Sequence, residues 1–171
     1  DLVPYLDLVA TAIAADIVPI TGENRILAYF GLKVINSSPR NGIKAMIHQI
    51  KKVELNITDV VFIIAPRINA AGRIKHGNYA VELLTELDFD SAVKFALEIE
   101  QNNNDRKDLD KLITQEALLQ IEENSEQDNY STVVYAENWH KGVIGIVASR
   151  LIETYYKPTL VFTKSGDKLA A

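Results

Sequence analysis

From Asp90 to about Asn124 the sequence reads as one long helix, and no other feature restricts the fold so strongly. Beyond Glu98 this stretch holds many acids and few bases, with Leu109, Leu112, Ile113, Leu118, Leu119 and Ile121 as apolar positions. A helix this polar presents most of its charge to solvent. The polar run NSEQDN follows it, which gives the pair the character of a connector between domains. The chain is therefore expected to divide into a helical part over residues 1–89, a connector over 90–128 and a part of different composition over 129–171. Its 171 residues suffice for one sizeable core or two small ones.

Before the connector, residues 2–15 carry apolar side chains on nearly every face, as a buried helix does. Thr21 or Gly22 starts a second helix, with Ile26, Leu27, Phe30 and Val34 at helical spacing. Ser38 and Pro39 suggest the cap and first turn of a third. The run ITDVVFIIA suits a helix capped by Thr58, or a strand by its β-branched content; helix is favoured. Pro66 disfavours helix at Ala65, so this element is expected to end there. Residues 77–87 are helical again. After the connector, STVVYA, GVIGIVASRLIETYY and KPTLVFT read as strand, helix and strand, an order that implies a parallel strand pair.

Composition narrows the chemistry. Without cysteine there are no disulfides or thiolate metal sites, so any metal must be held by carboxylate or imidazole. A reducing, cytoplasmic setting fits that composition. No apolar run approaches the ~20 residues that span a bilayer. The net charge of −5 argues against a generally basic nucleic-acid coat but permits a local basic groove. The sequence opens on Asp1 within a helical pattern and stops at SGDKLAA after a strand-like run, so it reads as an internal piece of a longer chain.

Three places carry chemistry. In APRINAAGRI, Arg67 and Arg73 flank Asn69, two alanines and Gly72. Guanidinium groups grip phosphate with a forked pair of donors, and small residues let a polymer backbone approach. The competing reading is an arginine pair bridging helices through carboxylates. In ENWHKGVIGI, Gly142 and Gly145 open a helix whose free amides suit an anion, beside His140 and Lys141. The plainer reading is a tight strand-to-helix turn with Trp139 packed down. Asp16 ends an apolar helix, where an acid is costly unless paired or metal-bound. Asp1 and Asp7 are further acids nearby, and His48, His76 and His140 are too scattered to form a site.

The blocks DLVATAIAADIVPITGENRILAYFGL, PRNGIKAMI, APRINAAGRI and ENWHKGVIGIVASRLIETYYKPTLVFT occur in that order. Together they resemble the RecJ single-strand DNA exonucleases of the DHH phosphoesterase superfamily, over essentially the whole chain. The resemblance implies a helix-rich α/β fold: the C-terminal part of a DHH domain, a long connector helix and the β–α–β start of a DHHA1-type domain. It implies 5′-to-3′ hydrolysis of single-stranded DNA in repair and recombination, by two Mn²⁺ or Mg²⁺ ions. A single-strand-binding protein or a helicase would be the protein partner, with no membrane involved. Asp16 matches the last metal-binding acid of the family. Arg67, Asn69 and Arg73 would hold the strand, with His140, Gly142 and Gly145 on the second domain; Trp139 and Tyr79 are candidate stacking platforms. The sequence contains no Asp-His-His, so these 171 residues are expected to hydrolyse nothing alone. Rival readings are a DHH phosphodiesterase for short oligonucleotides and a catalytically inactive RecJ-like scaffold.

Overall fold

The computed structural model describes residues 2–16, 18–50 and 52–171. The chain forms two compact units, one through Asn103 and one from Asn104 onward. The helix-rich α/β class expected from the sequence is what forms.

The first unit is helical. A 3-10 turn (Val3–Tyr5) with Pro4 in it leads into α1 (Leu6–Ala15), and α2 runs Gly22–Ser37 from an N-cap at Thr21. These two helices pack closely because the facing residues are small. Ala10 and Ala14 are buried on α1, and Ala28, Gly31 and Ile35 on α2. A Cβ at Gly31 would run into the Leu6 carbonyl oxygen and the Ala10 methyl. Ile26, Tyr29 and Phe30 of α2 turn the other way and are exposed. Ser38 does not cap the next helix. It closes α2, its amide donating to the Val34 carbonyl (2.9 Å), and α3 begins two residues past Pro39 (Asn41–Ile50).

The run expected to stop at Pro66 is helical throughout. It opens as α4 (Ile57–Asp59), widens into a π-turn over Val60–Ile64 and continues as α5 (Ala65–Ile74). The cap is Asn56 rather than Thr58. Its side chain accepts the Asp59 amide (3.0 Å) while the Asp59 carboxylate accepts the Asn56 amide (2.8 Å), a reciprocal capping box. Proline lacks an N–H and its ring crowds the preceding turn. The wider turn directly before Pro66 relieves that crowding, so the helix passes through. Next come α6 (Asn78–Thr85) and α7 (Phe89–Glu123), whose first part seals this unit with Ala92, Ala96 and Ile99.

Asp7 is fully buried, and its partner is Arg40. The guanidinium holds the carboxylate through Nε to Oδ2 and Nη2 to Oδ1, both 2.9 Å. The Arg40 backbone N–H adds a third bond (3.1 Å), and Nη1 reaches the Leu84 carbonyl (3.1 Å). Burial on this scale is tolerated only when nearly every donor and acceptor is matched. Asp7 is thus a structural clasp, not a metal ligand. Asp1 lies outside the described residues.

In the second unit, α7 supplies Ile113, Ala117 and Ile121 to a small core with Val134, Val143, Val147, Leu151 and Val161. Strand β1 (Thr132–Tyr135) pairs in parallel with β2 (Thr159–Ser165), joined through α8 (Ile144–Tyr155). A short β3 (Lys168–Ala170), which the sequence pattern does not announce, then pairs antiparallel with β2. Its two-residue loop puts Gly166 at a positive φ of 62°, the conformation that glycine adopts without strain. Gln120 completes the edge of β1, its amide nitrogen donating to the Tyr135 carbonyl (3.0 Å) and its oxygen accepting the Tyr135 amide (2.9 Å). Lys157 Nζ pins the loop after α7 by donating to the carbonyls of Glu126, Gln127 and Asn129.

Candidate nucleic-acid interface

Because α5 continues through Pro66, its residues take fixed angular positions. Arg67 and Arg73, six residues apart, point about 120° apart around the axis. The two arginines therefore do different things. Arg67 faces inward, its side chain only 15% exposed, and forms an ion pair with Glu100 of α7. Its Nη1 donates to the Ile63 carbonyl (2.6 Å) in the turn next to Pro66. Arg67 thus bridges helices through a carboxylate, and a phosphate would have to displace Glu100 to reach it.

Asn69 and Arg73 share the outward face, being four residues apart. Both are exposed, and Gly72 falls on the same stripe; His76, just past the end of α5, is exposed as well. Neither Gly72 nor Gly77 is demanded by internal packing. A Cβ at Gly72 would meet only the Gly77 Cα at 3.9 Å, and one at Gly77 would meet nothing within 4 Å. By contrast, a side chain at Gly31 or Gly42 would collide with a backbone carbonyl, that of Leu6 or Leu83. The low surface between Asn69 and His76 is thus not a requirement of the fold. A helix end at Pro66 hides the grouping of Asn69 and Gly72 with Arg73; continuing the 3.6-residue period past the proline reveals it. Tyr79 is half-buried beneath Lys75, whose Nζ sits 4.8 Å from its ring centre.

Asp16 closes α1, donating its backbone N–H to the Ala12 carbonyl (3.1 Å), and its side chain is exposed. α1 packs on both the π-turn and α5, so this acid and the Asn69–Arg73 face belong to neighbouring helices of one unit. Among the described residues no three acids or imidazoles cluster as a metal site would require. A two-metal centre needs several such ligands around it, and Asp16 is a single carboxylate. His48 packs its ring edge-on to Phe89 (6.4 Å between centroids) and is structural.

In the second unit the glycine turn is largely satisfied from within. His140 Nδ1 accepts the Gly142 amide (3.1 Å), and its carbonyl accepts the amides of Val143 (2.9 Å) and Ile144 (3.3 Å). His140 therefore holds the turn that leads into α8, using amides that an anion would otherwise meet. Gly145 lies exposed, with open space where a side chain would stand. Trp139 is only 4% exposed and donates Nε1–H to Glu116 Oε2 (2.7 Å). That burial corrects its reading as a stacking platform: an indole sealed on both faces has none left for a base.

No protein-family profile matches the chain. The single-stranded-DNA-specific exonuclease RecJ of Bacillus subtilis is 39% identical over 165 residues, covering 95% of this chain and 21% of that protein. Among solved structures, RecJ from Thermus thermophilus in complex with Mn²⁺ superposes with a TM-score of 0.85 at 31% identity, over 94% of this chain and 24% of that one. The same protein in complex with Mg²⁺ gives 0.83 at 30% identity, over 94% and 25%. The chain thus spans about a fifth to a third of the length of the curated relatives it matches.

Proposed function

We propose, since the chain belongs to the RecJ family, that it is part of an exonuclease that degrades single-stranded DNA from the 5′ end with Mn²⁺ or Mg²⁺. The observation that carries this reading is identity spread over 95% of the chain to a relative named as a single-stranded-DNA-specific exonuclease. The first unit would be the C-terminal part of a DHH domain, and the second the start of a DHHA1-type domain. Asp16 would provide one carboxylate to the metal site. Arg73 and Asn69 would hold strand phosphates on the outward face of α5, with Gly72 letting the backbone lie close. Arg67 would act mainly by fixing α5 against α7, and the His140–Gly145 turn would add a contact from the second unit.

The test is a RecJ protein carrying this sequence as a segment, assayed with Mn²⁺ on a 5′-phosphorylated single strand. Arg73→Glu should cut activity by at least about tenfold through KM, as loss of one charge-assisted phosphate contact does. Asp16→Asn should lower kcat and Mn²⁺ affinity together. Unchanged kinetics in both variants would overturn the assignment. The 171 residues alone should cleave nothing; Mn²⁺-dependent cleavage by a contaminant-free sample would contradict that expectation.

A further inference from the structure

On α7, Lys107, Asp110, Lys111 and Thr114 follow the i, i+3, i+4, i+7 pattern and share one face. With Gln115 and Arg150 of α8 they line a cleft of about 360 Å³, within the second unit. That size lies near the lower end of small-molecule sites, roughly 300–1,000 Å³. Three cations and one carboxylate line it, although α7 as a whole is rich in acids. No carboxylate pairs with Lys107 or Lys111 among the described residues, so their charge is available to a ligand.

Asp110 adds an acceptor to the same wall. It is buried, at 6% exposure, and Arg150 Nη2 approaches Oδ2 at a long 3.4 Å. Its other oxygen, Oδ1, is buried with no hydrogen-bond partner, and so is the Thr114 hydroxyl on the same wall. An unsatisfied buried polar group costs about 1–3 kcal/mol. Two of them beside three cations describe a site with both halves prepared: donors for an anion, and an acceptor for a neighbouring hydroxyl or amino group.

We propose that this cleft between α7 and α8 binds a nucleotide, its phosphate held by Lys107, Lys111, Arg150 and the Thr114 hydroxyl, and its sugar or base donating to Asp110 Oδ1. The chemistry is shared by a free nucleotide and by one unit of a strand. No bond is made or broken. The site is separate from the α5 face and does not depend on the function proposed for it.

The test is titration of the ¹⁵N-labelled chain with three probes: inorganic phosphate, deoxyadenosine 5′-monophosphate and a short oligothymidylate. The expected result is saturable shifts in the amides of residues 107–115 and of Arg150. The K107E/K111E variant should bind every probe at least about tenfold more weakly with an unaltered melting curve. Asp110→Asn, which keeps the shape, should tighten inorganic phosphate by removing a repelling charge and should weaken the monophosphate relative to it. Tighter binding of the oligothymidylate than of the monophosphate would assign the site to a strand, and the reverse to a free nucleotide. No saturable shift at these residues, or equal binding by K107E/K111E, would overturn the proposal. So would a parallel response of both small probes to Asp110→Asn. The same titration of Arg73→Glu should leave these shifts unchanged, which separates failure at this cleft from failure at α5.

Discussion

Gly72→Ala separates what the fold needs from what a ligand needs. Gly72 lies near the end of α5, and a methyl group there would meet only the Gly77 Cα, at an ordinary 3.9 Å. Alanine is favoured over glycine in a helix interior by about 0.8–1 kcal/mol, and somewhat less in a last turn. The substitution should therefore stabilise the first unit by about 0.5–1 kcal/mol, which raises Tm by about 1–4 °C at this chain length. Far-UV circular dichroism in urea is the right assay. Fluorescence would miss the change, because the sole tryptophan, Trp139, sits in the second unit. In the same protein, anisotropy with a labelled oligothymidylate should show weaker binding. If the methyl group displaces one charge-assisted contact, the loss is about 1.5–3 kcal/mol, roughly 10- to 150-fold in Kd. Gly31→Ala is the control: its new Cβ meets the Leu6 carbonyl and the Ala10 methyl, so stability should fall by about 1–3 kcal/mol. A destabilised Gly72→Ala would refute the reading of open space. A stabilised variant with undiminished affinity would show that no strand lies against this face.

Removing Asp7 or Arg40 alone strands a buried charge and should cost about 3–5 kcal/mol in urea denaturation. An apolar double replacement of similar volume, D7L/R40M, should recover only part of that loss, because the Arg40 amide and the Leu84 carbonyl lose their partners, and full recovery would show that those two bonds add nothing. The Lys52 ammonium, and then the Asn56 amide, hold the Asp59 carboxyl below its usual 3.8. A depressed carboxyl adds stability that is complete above about pH 4 and is lost as pH falls through the lower folded value. The gap in Tm between the wild type and Asp59→Asn should therefore close on acidification from about pH 6 to pH 3; a gap that widens would reverse the sign of the argument. Trp139 should emit at short wavelength, resist acrylamide and be unquenched by single-stranded DNA, whereas strong quenching would restore it as a stacking platform.

Local rules make much of this molecule legible. The strand, helix and strand after residue 130 are readable because β-branched runs and a 3.6-residue stripe lie side by side with clear turn residues between them. The long helix is readable for the same reason, through its apolar spacing. Two things are not. Asp7 and Arg40 lie 33 residues apart, and no local pattern announces an ion pair at that separation. At Pro66 the usual rule gives a helix end, yet the π-turn absorbs the proline. That single departure changes the site, since two arginines expected to flank one run of small residues past a helix end are residues on different faces of a helix. Which of the two stays exposed is then set by the face that packs on α7, where Arg67 meets Glu100. The small residues near Arg73 are visible in the sequence, but only packing shows that some glycines serve the fold and others leave room.

The widened turn at Val60–Ile64 also sets the angular phase of everything after it. Taking one residue out of that turn, or adding one, would rotate the rest of α5 by about 100° about its own axis. Asn69 and Arg73 would swing more than a quarter turn from their present direction, with their chemistry intact but aimed elsewhere. In this segment the count of residues matters more than their identity, and a clean one-residue deletion should do more harm than many substitutions.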